Sequence, residues 1–478
     1  MPRNRFAFIG VWLLMPCTLF AQSLDVYPAP AGIAPSLYFS VRARIGQQPW
    51  QPVFIHHSIN SLDSLGGLSI GIFSFAGPIE LEITSSNQPG SLDNVEVRPK
   101  PYGITTQLAD GKIFLRLSKP ANFVVEVNRS GGASGARQAL LISACPIERH
   151  APKATDKGVV YFGPGVHRIG DAYPLKSNTT YYLAGGAYLK GAMRGFGAVE
   201  NVRICGRGIL DSGHQPYQHP LKGLRSNILF EDGRNVTIEG ITAMQAGNYQ
   251  VKYQTKAPND HFEVDNLKLI GWHQNTDGIH ISDMDWKDHP TVGNAPGLRV
   301  SVTNSFINAN DDALLICDGI QQFEARNCVI WDRGNGATFC LSWGGHQPVD
   351  GALIQDCYVI HKEGKNPVFR ANHAGEADIK QVTFKNIYIE GNVQTLIGLQ
   401  TMDHRYDPDP GKGNVHAITF QHIVLEGNCT DNFILGYNPQ SRVYDIHLNQ
   451  IVVGGKRIKS LAQFPLRTNA YTGHVTIR

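Results

Sequence analysis

Three aspartates follow two neighbouring apolar segments, and they are the residues best suited to acid–base catalysis. Asp277 lies in an Asn-Thr-Asp-Gly segment, and Asp311 and Asp312 lie in an Asn-Asp-Asp-Ala segment. Gathered carboxylates repel one another, which raises one pKa and leaves a proton donor beside ionised partners. Hydrolysis of a glycosidic bond needs that pair of states, an acid for the leaving oxygen and a base for water. The alternative is that both segments are ordinary turns, in which these residue types are common.

Aromatic and polar side chains close to the aspartates in sequence are candidates for contacts with a sugar. Aromatic rings stack on the C–H faces of sugars, and amide, imidazole and guanidinium groups hydrogen-bond to hydroxyl groups. The residues predicted to bind substrate are Asn275, Trp286, Trp343, His346, Arg370 and His373. Taken singly, each histidine and Arg370 is more often an ordinary loop residue. Trp331 follows Ile330 in an apolar run and is expected to be structural.

The acidic segment from Asp283 through Asp285 to Asp288 raises the question of a calcium site. Its carboxylates lack the spacing of a known calcium-binding loop, so a solvated acidic loop is the better interpretation. The cysteines contain no Cys-x-x-Cys pair that would indicate zinc. The sequence therefore predicts neither a metal nor a cofactor.

The aspartates lie within a repeat of the form apolar-x-apolar-x-Asn-apolar. We call its fifth position the marker residue, and it is occupied by Gly240, Asn266, Asn304, Asn327, Asp356, Asn386, His422 and Gln450. The markers recur every 23 to 38 residues, which is typical of a solenoid. Each unit has strand-like alternation with a bend at the marker, and hairpin turns of a propeller blade are missing. We therefore predict a right-handed parallel β-helix over residues 151–478.

The chain before this repeat has a different organisation. Short alternating runs, such as residues 79–83, 112–117 and 123–127, are separated by turn signals that include Asp110-Gly111. Regular short strands of this kind predict an antiparallel β-sandwich over residues 22–150. The polar, aperiodic stretch of residues 148–157 is the expected boundary with the β-helix.

Residues 1–21 have the pattern of a secretory signal peptide. Arg3 and Arg5 precede an apolar stretch that is too short for a comfortable membrane span, and Ala21 offers a small residue for cleavage. A buried N-terminal element is the alternative. The prediction is a secreted or periplasmic protein without membrane attachment once the signal is removed. Seven scattered cysteines remain after Cys17 leaves, and Cys328 and Cys357 follow successive markers, so they should be neighbours in a ladder.

Composition excludes some classes of protein. Hydrophobic residues make up 42% of the 478 residues, which is enough for a large core. The net charge of +3 shows no basic excess of the kind that phosphate binding requires, so a nucleic-acid partner is not expected. The expected partner is a polysaccharide or an oligosaccharide.

The motifs around Asp277 and the Asp311-Asp312 pair resemble those of the β-helical glycosidase clan of polygalacturonases (family 28) and of dextranase with isopullulanase (family 49). The sandwich before the β-helix, the run at Ile330-Trp331 and Leu341-Ser-Trp343 are more similar to family 49. The resemblance implies an inverting hydrolase of α-linked sugars. It implies Asp311 as the general acid, and Asp277 and Asp312 as the bases that hold water.

Two departures from family 28 bear on the substrate. Gly334-Asn335-Gly336 stands where those enzymes carry Gly-His-Gly. Where they carry the Arg-Ile-Lys that binds a uronate carboxylate, this chain has Arg370-Ala-Asn372, with the arginine but no lysine. We therefore predict a neutral substrate. The alternatives are a polygalacturonase-like pectin hydrolase, a polysaccharide lyase and a non-catalytic carbohydrate-binding β-helix.

Overall fold

A computed structural model describes residues 22–58, 67–86, 92, 94–128, 139–213, 225–281, 294–403 and 413–478. The signal-peptide prediction for residues 1–21, and the candidates Trp286, Asp283, Asp285 and Asp288, lie outside these ranges. Within them, no helix has the length and hydrophobicity needed to span a membrane.

The front of the chain forms two packed sheets. The first contains β1 (Ser23–Val26), β4 (Ile55–His57), β5 (Ser69–Ala76), β7 (Val95–Arg98), β10 (Ala121–Val127) and β11 (Ala139–Pro146). The second contains β2 (Phe39–Arg44), β3 (Gln51–Val53), β6 (Ile79–Ser85), β8 (Thr106–Ala109) and β9 (Lys112–Leu117). Pairing is antiparallel except between β5 and β11. The predicted sandwich is confirmed, and a short 3-10 helix at Lys100–Tyr102 connects two of its strands.

The strands of the first sheet bury both of their faces. Phe73, Val125 and Leu140 pack into the core between the two sheets, whereas the alternate residues Val124 and Leu141 join a second apolar cluster shared with the β-helix. Successive side chains of a strand point to opposite faces, so a sheet covered on both sides shows a nearly continuous apolar run. This explains why seven of the eight residues of β11 are buried.

The rest of the chain coils into a parallel β-helix with three faces. Its first strands are β12 (Val159–Phe162), β13 (Gly165–Pro174), β14 (Thr179–Leu183), β15 (Ala187–Gly206) and β17 (Ile228–Glu239). The long strands β13, β15 and β17 pair at both of their ends and therefore contribute to more than one face. The parallel β-helix predicted from the repeat is confirmed.

Face A carries the repeat in which the markers occur. It consists of β20 (His261–Asp265), β23 (Leu298–Thr303), β26 (Ile320–Arg326), β29 (Val349–Gln355), β32 (Ile379–Ile389), β34 (Val415–Leu425), β36 (Val443–Val453) and β39 (Thr472–Ile477). All eight marker residues have positive φ, between 49° and 77°. Glycine and asparagine tolerate this left-handed conformation better than most residues. The bend can therefore be recognised in the sequence from the recurrence of such residues at the marker position.

Face B follows each marker and contacts the sandwich. It consists of β16 (Ile209–Asp211), β18 (Thr242–Met244), β21 (Lys268–Ile270), β24 (Phe306–Ala309), β27 (Val329–Asp332) and β30 (Tyr358–Lys362). Trp331 and Trp272 are buried in the apolar cluster shared with the sandwich, and the Trp272 indole donates to Ser58 Oγ over 2.9 Å. The structural role expected for Trp331 is confirmed, and Trp272 has the same role.

Face C completes each coil. It consists of β19 (Val251–Tyr253), β22 (Ile279–Ile281), β25 (Leu314–Ile316), β28 (Phe339–Cys340), β31 (Phe369–His373), β33 (Ile397–Thr401), β35 (Asn432–Leu435) and β38 (Leu466–Thr468). A hairpin strand β37 (Lys456–Arg457) and a 3-10 helix at Leu461–Gln463 lie near the C-terminus. The seven described cysteines are buried and form no disulfides. Cys328 and Cys357 are neighbours in adjacent coils, because Val329 pairs with Tyr358 and the Tyr358 amide donates to the Cys328 carbonyl over 2.9 Å, as the repeat predicted.

Candidate active site

The three aspartates meet at the corner where face B turns into face C. Asp277 and Asp312 each lie two residues before a face C strand, β22 or β25, and the amide of Gly278 donates to the carbonyl of Asp312 over 3.0 Å. These two residues are therefore equivalent in register, and a longer connection before Asp277 accounts for their different spacing from the markers. One oxygen from each of the three carboxylates lies within 4.8 Å of the other two. The corner also provides the bend that brings Asp311 and Asp312 to one site.

Asp311 is the half-buried member of the group. Its Oδ1 accepts the amide N–H of Asp312 over 2.9 Å, and its Oδ2 accepts the side-chain amide of Asn335. Burial raises the pKa of Asp311 well above its usual range, and the charges of Asp277 and Asp312 raise it further, against a smaller opposing effect of Arg370. Asp311 thus combines a raised pKa with partial access from solvent.

Asp312 is held on both of its oxygens. Oδ1 forms an ion pair with Arg370 and accepts the amide N–H of Ala337 over 2.7 Å. Oδ2 accepts the indole N–H of Trp343 over 2.9 Å. Only 1% of Asp312 is exposed. The three N–H donors therefore take the place of the water molecules that would hydrogen-bond to an exposed carboxylate.

Arg370 closes the site from β31, buried beneath Trp343. Its guanidinium lies 4.3 Å from the centre of the Trp343 ring. Burial alone would lower the pKa of Arg370, but the neighbouring charge of Asp312 raises it above its ordinary value. Arg370 is therefore a cation whose charge is committed to Asp312 inside the protein.

Asp277 is held by His280 on the opposite side of the site. His280 Nδ1 lies 2.8 Å from Asp277 Oδ2, and its ring stacks on Tyr249 with centroids 4.0 Å apart. His280 and Arg370 occupy equivalent positions on face C, separated by Leu315 and Cys340. Each of the two buried aspartates is thus positioned by a basic side chain from face C, Asp277 by His280 of β22 and Asp312 by Arg370 of β31.

Two glycines permit the close approach of the coils at this corner. A Cβ atom on Gly336 would lie 2.2 Å from the Asp312 nitrogen and 2.4 Å from Asp311 Oδ1. A Cβ atom on Gly278 would lie 2.3 Å from the carbonyl oxygen of Ala313. These contacts are shorter than any real Cβ makes, so both positions require glycine to bring the aspartates together.

The other predicted substrate-binding residues differ in their surroundings. Asn275 is half-buried with φ of 66° on the loop before Asp277. His346 is half-buried and lies 3.1 Å from Glu376. His373 is 2% exposed, with Nε2 2.6 Å from the carbonyl of Ala377 and Nδ1 3.1 Å from Ser342 Oγ. Burial lowers the pKa of His373 to about 4, and both of its ring nitrogens are occupied within the protein.

Asn335 and Gln274 belong to the site but were not among the predicted site residues. Asn335 donates to Asp311, and its Oδ1 accepts the side-chain amide of Gln274 over 3.0 Å. The pair links the loops before β22 and before β28 across the aspartates. In the sequence, Asn335 is notable only because it occupies the position of the histidine in the Gly-His-Gly motif of family 28 enzymes.

A separate cleft of about 540 Å³ lies between the sandwich and the marker ladder. Its lining includes Tyr102, Asn122, Asn266, Asn304 and Tyr358, and none of the three aspartates. We assign the candidate active site to the corner of the coil where Asp277, Asp311 and Asp312 meet, because the three carboxylates lie there.

Comparisons with known proteins point to carbohydrate-active relatives. No protein-family model matches the chain. Dextranase from Arthrobacter sp. (strain CB-8) is 23% identical over 357 residues, covering 59% of this chain and 53% of the dextranase. Isopullulanase from Aspergillus niger is 23% identical over 390 residues, covering 67% of this chain and 66% of the isopullulanase. The chain thus spans about half the length of the dextranase.

The fold has a close counterpart among solved structures. Dex49A from Penicillium minioluteum superimposes with a TM-score of 0.73 at 18% sequence identity, covering 95% of this chain and 96% of that one. The agreement extends over the sandwich and the β-helix together. This chain is therefore a distant relative of dextranases and isopullulanase and shares the fold of Dex49A, as the resemblance in its motifs predicted.

Proposed function

We propose that this protein is a glycoside hydrolase that cleaves α-linked bonds of a neutral polysaccharide or oligosaccharide, in the manner of a dextranase or isopullulanase. The observation that carries the proposal is the meeting of three carboxylates within 4.8 Å at one corner of the coil. The distant similarity to dextranases and isopullulanase supports the substrate class.

In this proposal Asp311 is the general acid. Protonation of the leaving oxygen requires a carboxyl group that keeps its proton near the working pH. Asp311 has a raised pKa, and it is the most accessible of the three aspartates. Asn335 orients the carboxyl group by donating to Oδ2.

Asp277 and Asp312 are the proposed bases that hold the attacking water. Inverting enzymes usually separate acid and base by ~6.5–9.5 Å, and retaining enzymes by ~5–5.5 Å. The nearest oxygens here are within 4.8 Å, so their spacing does not argue for inversion. Asp312 accepts three N–H donors, which hold the carboxylate in its ionised form and leave about one of its four lone-pair sites for a hydrogen bond to the attacking water.

The cations near the site support a substrate without carboxylates. A uronate is usually recognised by an arginine or lysine through a charge-assisted hydrogen bond. Arg370 is paired with Asp312, and the Arg333 side chain, 6% exposed, lies 3.5 Å from Glu363. Both arginines that could serve a polyuronate are engaged within the protein.

Trp343 is the proposed platform for a sugar ring. It is half-buried, stacks on Arg370 and donates to Asp312, so a sugar on its outer face would lie next to the carboxylates. Asn275 and His346 remain proposed hydrogen-bonding contacts. We further propose that residues 1–21 direct the protein to the periplasm or outside the cell, where polysaccharides are encountered.

A substrate screen tests the proposal. Purified protein is incubated with dextran, pullulan, polygalacturonate and red-algal galactans, and released reducing ends are measured at low and moderate salt. We expect activity on a neutral glucan that changes little with salt. A preference for polygalacturonate that fades as salt rises would instead identify a pectin hydrolase. Unsaturated products absorbing in the ultraviolet would identify a lyase, and binding without turnover would indicate a carbohydrate-binding protein.

A further inference from the structure

A cluster of two histidines and one aspartate lies on face A at the C-terminal end of the solenoid, formed by residues of its last two coils. Asp445 and His447 belong to β36, and His474 belongs to β39. Asp445 Oδ1 lies 3.0 Å from His447 Nε2 and 3.1 Å from His474 Nδ1. One ligand atom from each residue lies within 4.8 Å of the other two.

The register of the parallel strands brings these three side chains together. Tyr444 pairs with Gly473 and Ile446 with Val475, so Asp445 and His474 are at the same level of adjacent coils. Both have left-handed backbones, with φ of 57° and 41°. Neighbouring parallel strands are ~4.8 Å apart, which places side chains from equivalent positions within reach of one ion.

We propose that Asp445, His447 and His474 form a binding site for a divalent transition-metal ion such as Zn²⁺. Imidazole and carboxylate are both zinc ligands, and three protein ligands with an open fourth position are a common arrangement. A tetrahedral ion with bonds of ~2.05 Å requires ligand atoms ~3.3 Å apart. The distances of 3.0 and 3.1 Å from Asp445 need only a small adjustment to match this.

A fourth residue, Thr476, is placed to orient the imidazole of His447. His447 Nδ1 lies 2.8 Å from Thr476 Oγ1. If Nδ1 carries the proton and donates to Thr476, the lone pair of Nε2 points at the cluster. Metal-binding histidines usually have their other ring nitrogen held in this way, which selects the tautomer that binds. The motif spacing in the sequence did not reveal the site, because His474 joins it only through the register of β39.

A bound ion would join β39 to β36 and so hold the last coil onto the solenoid. Four of the six residues in the second half of β36 and all six residues of β39 are at least partly exposed. The proposed ion is therefore expected to stabilise this end of the chain, independently of any catalytic activity.

Titration of the full-length protein with Zn²⁺ by calorimetry, after treatment with a chelator, tests the site. Comparison variants are His447→Gln and His474→Gln, which keep a polar side chain but lack the imidazole. The control is His422→Asn, which removes a histidine from a marker position that Asn occupies in other coils. We expect a saturable site in the wild type and the control, and at least tenfold weaker binding in both test variants.

Further measurements separate metal binding from ordinary aspartate–histidine ion pairs. Zn²⁺ should raise the melting temperature of the wild type and the control but not that of the test variants, and binding should weaken as the pH falls, because protons compete with the metal ion for its ligands. Ca²⁺ should not replace Zn²⁺, because it prefers oxygen ligands. Binding that changes less than threefold in His474→Gln, whose parent side chain is 65% exposed and tolerant of change, would overturn the proposal.

Discussion

Replacement of Asp311 by asparagine is expected to remove turnover and leave the fold intact. The amide has nearly the same shape, and its oxygen can still accept the Asp312 N–H now bound by Oδ1, while its NH2 group faces Asn335, whose side-chain amide must rotate to accept from it. It cannot donate a proton to a leaving oxygen. Loss of a general acid typically costs about 10²- to 10⁴-fold, which corresponds to about 2.7–5.4 kcal/mol of transition-state stabilisation at 1.36 kcal/mol per tenfold.

The same substitution should stabilise the protein at neutral pH. The pKa of Asp311 is raised in the folded protein by burial and by Asp277 and Asp312. Stability linked to its proton is therefore fully present below the unfolded pKa of ~3.9 and is lost as pH rises through the folded pKa. An asparagine does not ionise, so the melting temperature of the variant should exceed that of the wild type at pH 7, with a smaller difference near pH 4.

The assay combines reducing-end release on the best glucan with melting curves at both pH values. Asp356→Asn is the matched control, because Asp356 is a marker residue with φ of 54° where asparagine fits, and its Oδ1 contact with Asn386 is kept. We expect the control to match the wild type in both measurements. Asp311→Asn activity within threefold of wild type, with unchanged circular dichroism, would remove Asp311 from the mechanism. A melting-temperature difference independent of pH would refute the electrostatic argument.

The remaining predictions concern the stereochemistry, the tuning of Asp311 and the packing of the corner. Proton NMR of the first product, recorded before mutarotation, should show an inverted anomer if water attacks directly, and a retained anomer would refute this step. Asn335→Ala should move the alkaline limb of the kcat/KM profile to higher pH, because the ionised form of Asp311 loses a donor; an unmoved limb would remove Asn335 from tuning. Gly336→Ala should lower the melting temperature and the activity together, because its Cβ would meet backbone atoms of Asp311 and Asp312 within 2.3 Å; wild-type values in both would contradict the packing argument.

The sequence alone determined the class of fold and indicated the three aspartates that the structure brings together. Each coil needs a bend with a left-handed backbone, and this requirement recurs at residues such as Asn266, Asn304 and Asn327 because few residue types satisfy it. The alternation of apolar residues around the markers is a local signal, and so are the turn pairs of the sandwich. Asp277 and the Asp311-Asp312 pair stand out for the same reason, as polar residues at the ends of apolar strands.

The tertiary structure decided which side chains share the site. Arg370 could be read from the sequence as a substrate contact, but only the pairing of β28 with β31 places it against Asp312. His373, three residues further along the same strand, is buried with both ring nitrogens occupied within the protein. Coil lengths between markers vary, so spacing in the sequence does not give register. Register is set by the stacking of whole coils, and it alone brought Asn335 to Asp311 and His474 to Asp445.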